Sequence, residues 1–104
     1  MSAASVDVLP AFPGGEEAMM KFLARNLHYP AVARENGITG KVYVSFVIDE
    51  RGNIESVSVI RGPGYGTHDE VMRVIGLMPK WSPGKYHNEN VKTAFVMPVF
   101  FSLK

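Results

Sequence analysis

The chain has 104 residues, 46% of them hydrophobic and 20% charged, with a net charge of +1 and no cysteine. That length and composition suit one globular domain with a modest core, not a disordered segment. The charge balance excludes a nucleic-acid footprint and a polybasic membrane patch; the lack of cysteine excludes a disulfide framework, a thiol nucleophile and Cys-based metal centres.

No apolar run reaches the roughly 18–20 residues of a membrane span. The opening "MSAASVDVLP" has no basic start leading into an apolar stretch, so the chain reads as soluble. Any targeting or anchoring segment is expected outside it, and the small-residue start fits an expression scar. Residues 1–15, with Pro10, Pro13, Gly14 and Gly15, read as an extended lead-in, and residues 16–104 as the domain proper.

Glu16 and Glu17 open a first helix, since negative charge suits its positive dipole end. Met19 or Met20, Leu23 and Leu27 recur at helical spacing on one face. Tyr29–Pro30 stops that helix, because the residue before proline avoids the α region. Pro30 then starts a short second helix, "PAVAREN", with Gly37 as its stop.

"GKVYVSFVIDERGNIESVSVIRG" reads as a β-hairpin. Val42, Val44, Phe46 and Ile48 alternate with Lys41, Tyr43, Ser45 and Asp49, so one face is buried. Gly52 supplies the positive φ of the turn. Val57 and Val59 continue the buried face; Ile54 is out of phase with them, which predicts an irregularity just after the turn. "GPGYG" is a loop, and residues 69–78 form the next helix, with Val71, Val74, Ile75 and Met78 inward and Pro79 at its end. "KWSPGKYHNEN" is a connection held by Trp81, and the final strand begins at Val91.

A right-handed crossover from the second strand brings the last one back parallel to it, antiparallel to the first. The predicted architecture is α+β: a three-stranded antiparallel sheet of order 2-1-3 with two main helices on one face. The last strand is then an edge, where Pro98 is tolerated if its missing donor points outward. Two readings of that edge stay open on pattern alone. It meets solvent or a covering loop, or it accepts a foreign strand.

Other chemistry is thinly represented. Gly62, Gly64 and Gly66 do not complete a dinucleotide fingerprint, no phosphate-binding lysine follows, and Asp69 and Glu70 would repel an anion there, so the loop reads as a plain turn. His28, His68 and His87 lack partners at metal-ligand spacing. Ser45, Ser56 and Ser58 have no legible His–Asp companions. Trp81 reads as a core plug, with a peptide-binding role as the lesser alternative. Tyr43, Val47, Ile60 and Phe100 share the outer sheet face, as ordinary surface or as a dimer contact.

"YPAVARENGITGKVYVSFVIDERGNIESVSVIRG", "MPKWSPGK" and "VMPVFFSL" together resemble the C-terminal domain of TonB proteins, with "FPGG", "MPKW" and "MPVFF" closest to Bacteroidetes-type members. The resemblance covers nearly everything from Phe12 onward. It implies a non-enzymatic, cofactor-free module of an energy transducer, held in the periplasm by an inner-membrane anchor outside this sequence. The ExbB–ExbD motor would act through that N-terminal region. The partner implied is the TonB box peptide of outer-membrane TonB-dependent transporters, which adds as a strand beside the last strand of the domain.

By position, the resemblance assigns peptide gripping to Val91, Lys92, Thr93, Ala94, Phe95, Val96 and Met97, together with Asn26, Leu27 and His28 before the YP pair. "NLHYP" stands where better-known members carry glutamine-rich text, and Pro98 also departs from them. Alternatives are the same domain on a TolA-like envelope protein or a membrane sensor-peptidase, and a nucleotide-binding enzyme using the Gly62–Gly66 loop. An exposed edge also allows a homodimer through paired edge strands.

Overall fold

The structure, a computed structural model, describes residues 1–103. Its centre is β1 (Gly40–Ile48), whose inward row of Val42, Val44, Phe46 and Ile48 is at most 1% exposed. Alternation of apolar and wetter residues puts that row on one face of the pleat. The turn after β1 is tied by Asp49, whose Oδ1 accepts the N–H groups of Arg51 (2.9 Å) and Asn53 (2.8 Å).

Gly52, at φ +89°, completes that turn, and its carbonyl accepts the N–H of Trp81 at 2.9 Å. A Cβ at this glycine would stand 1.9 Å from the Trp81 carbonyl oxygen. Gly52→Ala therefore combines a disfavoured φ with a main-chain clash. It is expected to cost about 2 kcal/mol or more in urea unfolding, whereas Gly37→Ala, with open space at its Cβ, costs only the φ penalty.

β2 (Ile54–Arg61) pairs antiparallel with β1 and carries two extra residues. One lies between the pairs Tyr43↔Arg61 and Val44↔Val59, the other between Ser45↔Ser58 and Val47↔Glu55. The second bulge includes Ser56 at φ 55°. A bulge shifts side-chain phase by one residue, which is why Ile54 packs against the core along with Val57 and Val59. The irregularity expected after the turn is present.

α1 (Gly15–Asn26) follows left-handed Gly14, carries Glu16 and Glu17 in its first turn, and buries Leu23. α2 (Ala31–Glu35) buries Ala33 completely. α3 (Thr67–Ile75) buries Val71, Val74 and Ile75 to 1% exposure. It starts two residues earlier than expected, where the Thr67 hydroxyl donates to the Gly64 carbonyl at 2.6 Å. It ends at Ile75, with Gly76 as its cap, and not at Met78. The N–H groups of Leu77 and Met78 bond back three residues, so the chain tightens into a last turn that still packs Met78 on the core.

β5 (Thr93–Phe101) pairs antiparallel with β1 from Gly40↔Phe101 to Ile48↔Thr93 without a shift. Sheet order is β2-β1-β5, the predicted 2-1-3 arrangement. Helices and sheet close over one core that includes Trp81, Met97, Val99 and Phe101.

Two features differ from the expected connection. Residues after Trp81 form a small hairpin of β3 (Gly84–Tyr86) and β4 (Glu89–Val91), so Val91 closes β4 and the last strand starts at Thr93. The lead-in is extended except for a 3₁₀ turn at Ala3–Ser5, and it is firmly bonded. Val8 and Ala11 bridge Lys85 and Ser82, and Phe12 is buried edge-on to Trp81 at 5.9 Å.

Candidate functional site

The N–H of Ala94 donates to the Met1 carbonyl at 2.7 Å, so this residue turns its main chain away from β1. Successive residues in an antiparallel strand alternate the direction of their main-chain groups. The unbroken register of β5 therefore gives Val96, Pro98 and Phe100 the same outward phase. Pro98 sits across from Tyr43, with its missing donor on the outer side, where no bond to β1 is lost.

Among the described residues, Val96, Pro98 and Phe100 have no main-chain partner on that side. The free row offers N–H groups at Val96 and Phe100 and carbonyls at all three. The alternate residues Met97, Val99 and Phe101 face the core, while the side chains of Val96 and Phe100 are more than half exposed.

Beside this row lies a groove of about 800 Å³ between β5, α1 and residues 9–12 of the lead-in. Leu9, Met20, Leu23, Leu27 and Met97 give it an apolar lining. Glu16 lies toward the end marked by Phe12 and Trp81. Arg34 lies toward the other end, 5.8 Å from the centre of the Tyr29 ring, which itself meets Phe101 edge-on at 5.4 Å.

The segment before Tyr29–Pro30 is fixed from α3. Arg73 donates to the Asn26 carbonyl (2.8 Å), and Glu70 accepts the His28 N–H (2.6 Å). Glu70 also accepts Nε (2.9 Å) and Nη2 (2.7 Å) of Arg73. The Tyr29 hydroxyl donates to the Ile38 carbonyl.

The Arg73 hydrogen bonds hold the Glu70 carboxyl below its ordinary value of 4.5, against the opposing effect of burial and with help from the His28 N–H. A depressed carboxylate contributes stability above the unfolded-state value and loses it as pH falls through the folded one. The His28 amide resonance is thus expected to titrate below pH 4.5 and to stop doing so in Glu70→Gln; an acid titration that persists in that variant would assign the step elsewhere.

The sequence-assigned residues fall into distinct settings. Phe95, Val96 and Met97 line the groove, as does Leu27. Ala94 is outward but bonded to Met1. Thr93 is fully buried, with its hydroxyl on the Val91 carbonyl at 3.2 Å. Lys92 accepts the Met1 ammonium on its carbonyl at 2.7 Å and pairs through Nζ with Glu55 at 3.3 Å. Val91 pairs with Gly84 in the small hairpin. The Asn26 side chain donates to the Phe22 carbonyl, and His28 is exposed outside the groove lining.

Reading from sequence stopped the edge at Met97 and left out Phe100, the groove's lead-in wall and Met20. Parity with Pro98 was the signal available for Phe100. The glycine loop closes on itself through the N–H and hydroxyl of Thr67, both on the Gly64 carbonyl, and Tyr65 holds a positive φ within it.

Together these features define a small α+β module whose terminal strand keeps part of its outer edge free beside an apolar groove. Residues 25–103 match the family described as Gram-negative bacterial TonB protein C-terminal, and the chain belongs to that family. It is 30% identical over 97 residues to the TonB protein of Pseudomonas putida, covering 89% of this chain and 39% of that protein. It is 32% identical over 75 residues to that of Neisseria gonorrhoeae, covering 72% of this chain and 24% of that protein. The chain thus spans well under half the length of these relatives. The solution structure of the Helicobacter pylori TonB C-terminal domain is similar, with a TM-score of 0.56 and 25% identity over 88% of this chain and 87% of that one.

Proposed function

We infer that this domain is the peptide-gripping end of a TonB-type energy transducer. It is a non-enzymatic periplasmic module on an inner-membrane-anchored protein. It takes the TonB box of an outer-membrane transporter as an added strand along β5 and passes on work from an ExbB–ExbD motor. The observation that carries this reading is the free row at Val96, Pro98 and Phe100, opening beside an apolar groove in a chain of this family.

Strand addition suits such a task. Main-chain bonds ask little of the guest's sequence, and alternate guest side chains reach the apolar lining for selectivity. Each bond contributes only about 1 kcal/mol net, so a short peptide is held and released readily. A guest lying alongside β5 loads those bonds together in shear when pulled.

The test is titration of the chain with a synthetic N-terminal peptide from an outer-membrane transporter of the host cell. Amide shifts concentrated at residues 95–101 and at Leu27 are expected. Saturable shifts confined to the β2 edge or to the Gly62–Gly66 loop would overturn the reading.

A further inference from the structure

We propose that Pro98 is a specificity-determining residue that keeps the β5 edge from pairing with a second copy of itself while leaving it open to a guest strand. The guest half of this statement rests on the strand-addition reading; the self-pairing half does not.

An unpaired strand edge with exposed apolar side chains invites its own kind. Val96 is 56% and Phe100 57% exposed, and nothing among the described residues bonds the row that they flank. Two copies of β5 meeting antiparallel would pair outward residues with outward residues. The two-fold register that uses Val96 and Phe100 fully sets Val96 of one copy against Phe100 of the other. That arrangement places Pro98 against Pro98 on the axis, and two hydrogen bonds that an ordinary residue would make are lost there together.

Sliding one copy toward the strand's start meets Ala94, already bonded to Met1 and bridged to Ser2. Sliding the other way shortens the overlap beyond Phe101, where β5 ends. A guest strand without proline fares better. It finds donors at Val96 and Phe100 and acceptors at all three residues, and it loses a single bond, the one its own carbonyl would have received at Pro98. The proline thus penalises self-pairing by about twice as much as guest binding.

The test is Pro98→Ala, with Pro98→Val as a second variant carrying the restored donor on a β-branched strand former. Proline here faces outward and is exposed, so both variants keep the β1 ladder intact. One restored bond near 1 kcal/mol is worth roughly a five-fold change and two roughly twenty-five-fold. Sedimentation across a concentration series should therefore show self-association strengthened by about twenty-five-fold. Titration with the synthetic transporter N-terminal peptide should show affinity strengthened by only about five-fold.

Self-association that rises no more than peptide affinity, or is undetectable in both variants up to millimolar concentration, overturns the proposal and leaves the strand-addition reading standing. Strengthened self-association with no peptide binding to any of the three proteins overturns the strand-addition reading and supports the self-pairing half.

Discussion

Trp81→Ala is expected to lower the free energy of unfolding by about 3–5 kcal/mol, the usual range for deleting a large buried aromatic ring. Trp81 is 4% exposed and meets the rings of Phe12, Phe46 and Phe95 at 5.9, 5.6 and 5.5 Å, each near edge-on. It joins lead-in, central strand and edge strand in one cluster, and its N–H ties the cluster to the hairpin turn at Gly52. For a domain whose total stability lies in the range of about 5–15 kcal/mol, that loss leaves little margin.

Trp81→Phe provides the contrast. The indole Nε1 is buried and has no partner among the described residues, so phenylalanine removes an unsatisfied donor while keeping most of the ring contact. Its cost is expected to be clearly smaller than that of Trp81→Ala, because the cavity left by the smaller ring is smaller. Urea melts that gave equal losses for the two variants would show that ring packing is not the source of the stability.

Val96→Pro is expected to weaken peptide binding by about five-fold, the worth of one net main-chain bond, while the fold survives. Its N–H shares the outward phase of Ala94 and Pro98, so no bond to β1 is lost, and its side chain is 56% exposed. The substitution removes one of the row's two free donors and leaves a stretch in which only Phe100 can donate. Met97→Pro is the control: its phase faces β1, so the proline would break the central ladder and unfold the chain. A folded Val96→Pro with unchanged affinity would remove β5 from the site.

Much of this was legible in the residues. Alternation along residues 42–48 fixed the inward face of β1, Gly52 marked the turn, and the handedness of crossovers ordered the sheet. Ile54 announced its bulge by being out of phase. The features that escaped depend on partners distant in sequence or on signals that run both ways. Lys85, Tyr86, Glu89 and Asn90 are all exposed, so β3 and β4 carry no alternation, and their turn at His87 and Asn88 takes positive φ without a glycine.

The lead-in is similar. Nothing local to Val8 or Ala11 points to Lys85 and Ser82, yet those bridges carry Phe12 into the core and build one wall of the groove. α3 stops at Ile75 because the N–H groups of Leu77 and Met78 bond back three residues, tightening the last turn before Pro79 is reached. The peptide segment assigned before Tyr29–Pro30 is held chiefly by α3, a contact made by Arg73 and Glu70 that no spacing within residues 26–28 could announce.

Because the chain has no cysteine, a single introduced thiol is unique. Val96→Cys, mixed under mild oxidation with transporter N-terminal peptides that carry one cysteine at each successive position, reads the geometry of the docked strand directly. Neighbouring strands bring Cα atoms to about 4.5–5.5 Å, within disulfide range, and only for side chains on the same face. The expected profile rises and falls with a period of two along the peptide and weakens about five-fold when Pro replaces Phe100. A flat profile, or equal trapping by Ile60→Cys on the far edge of the sheet, would contradict docking along β5.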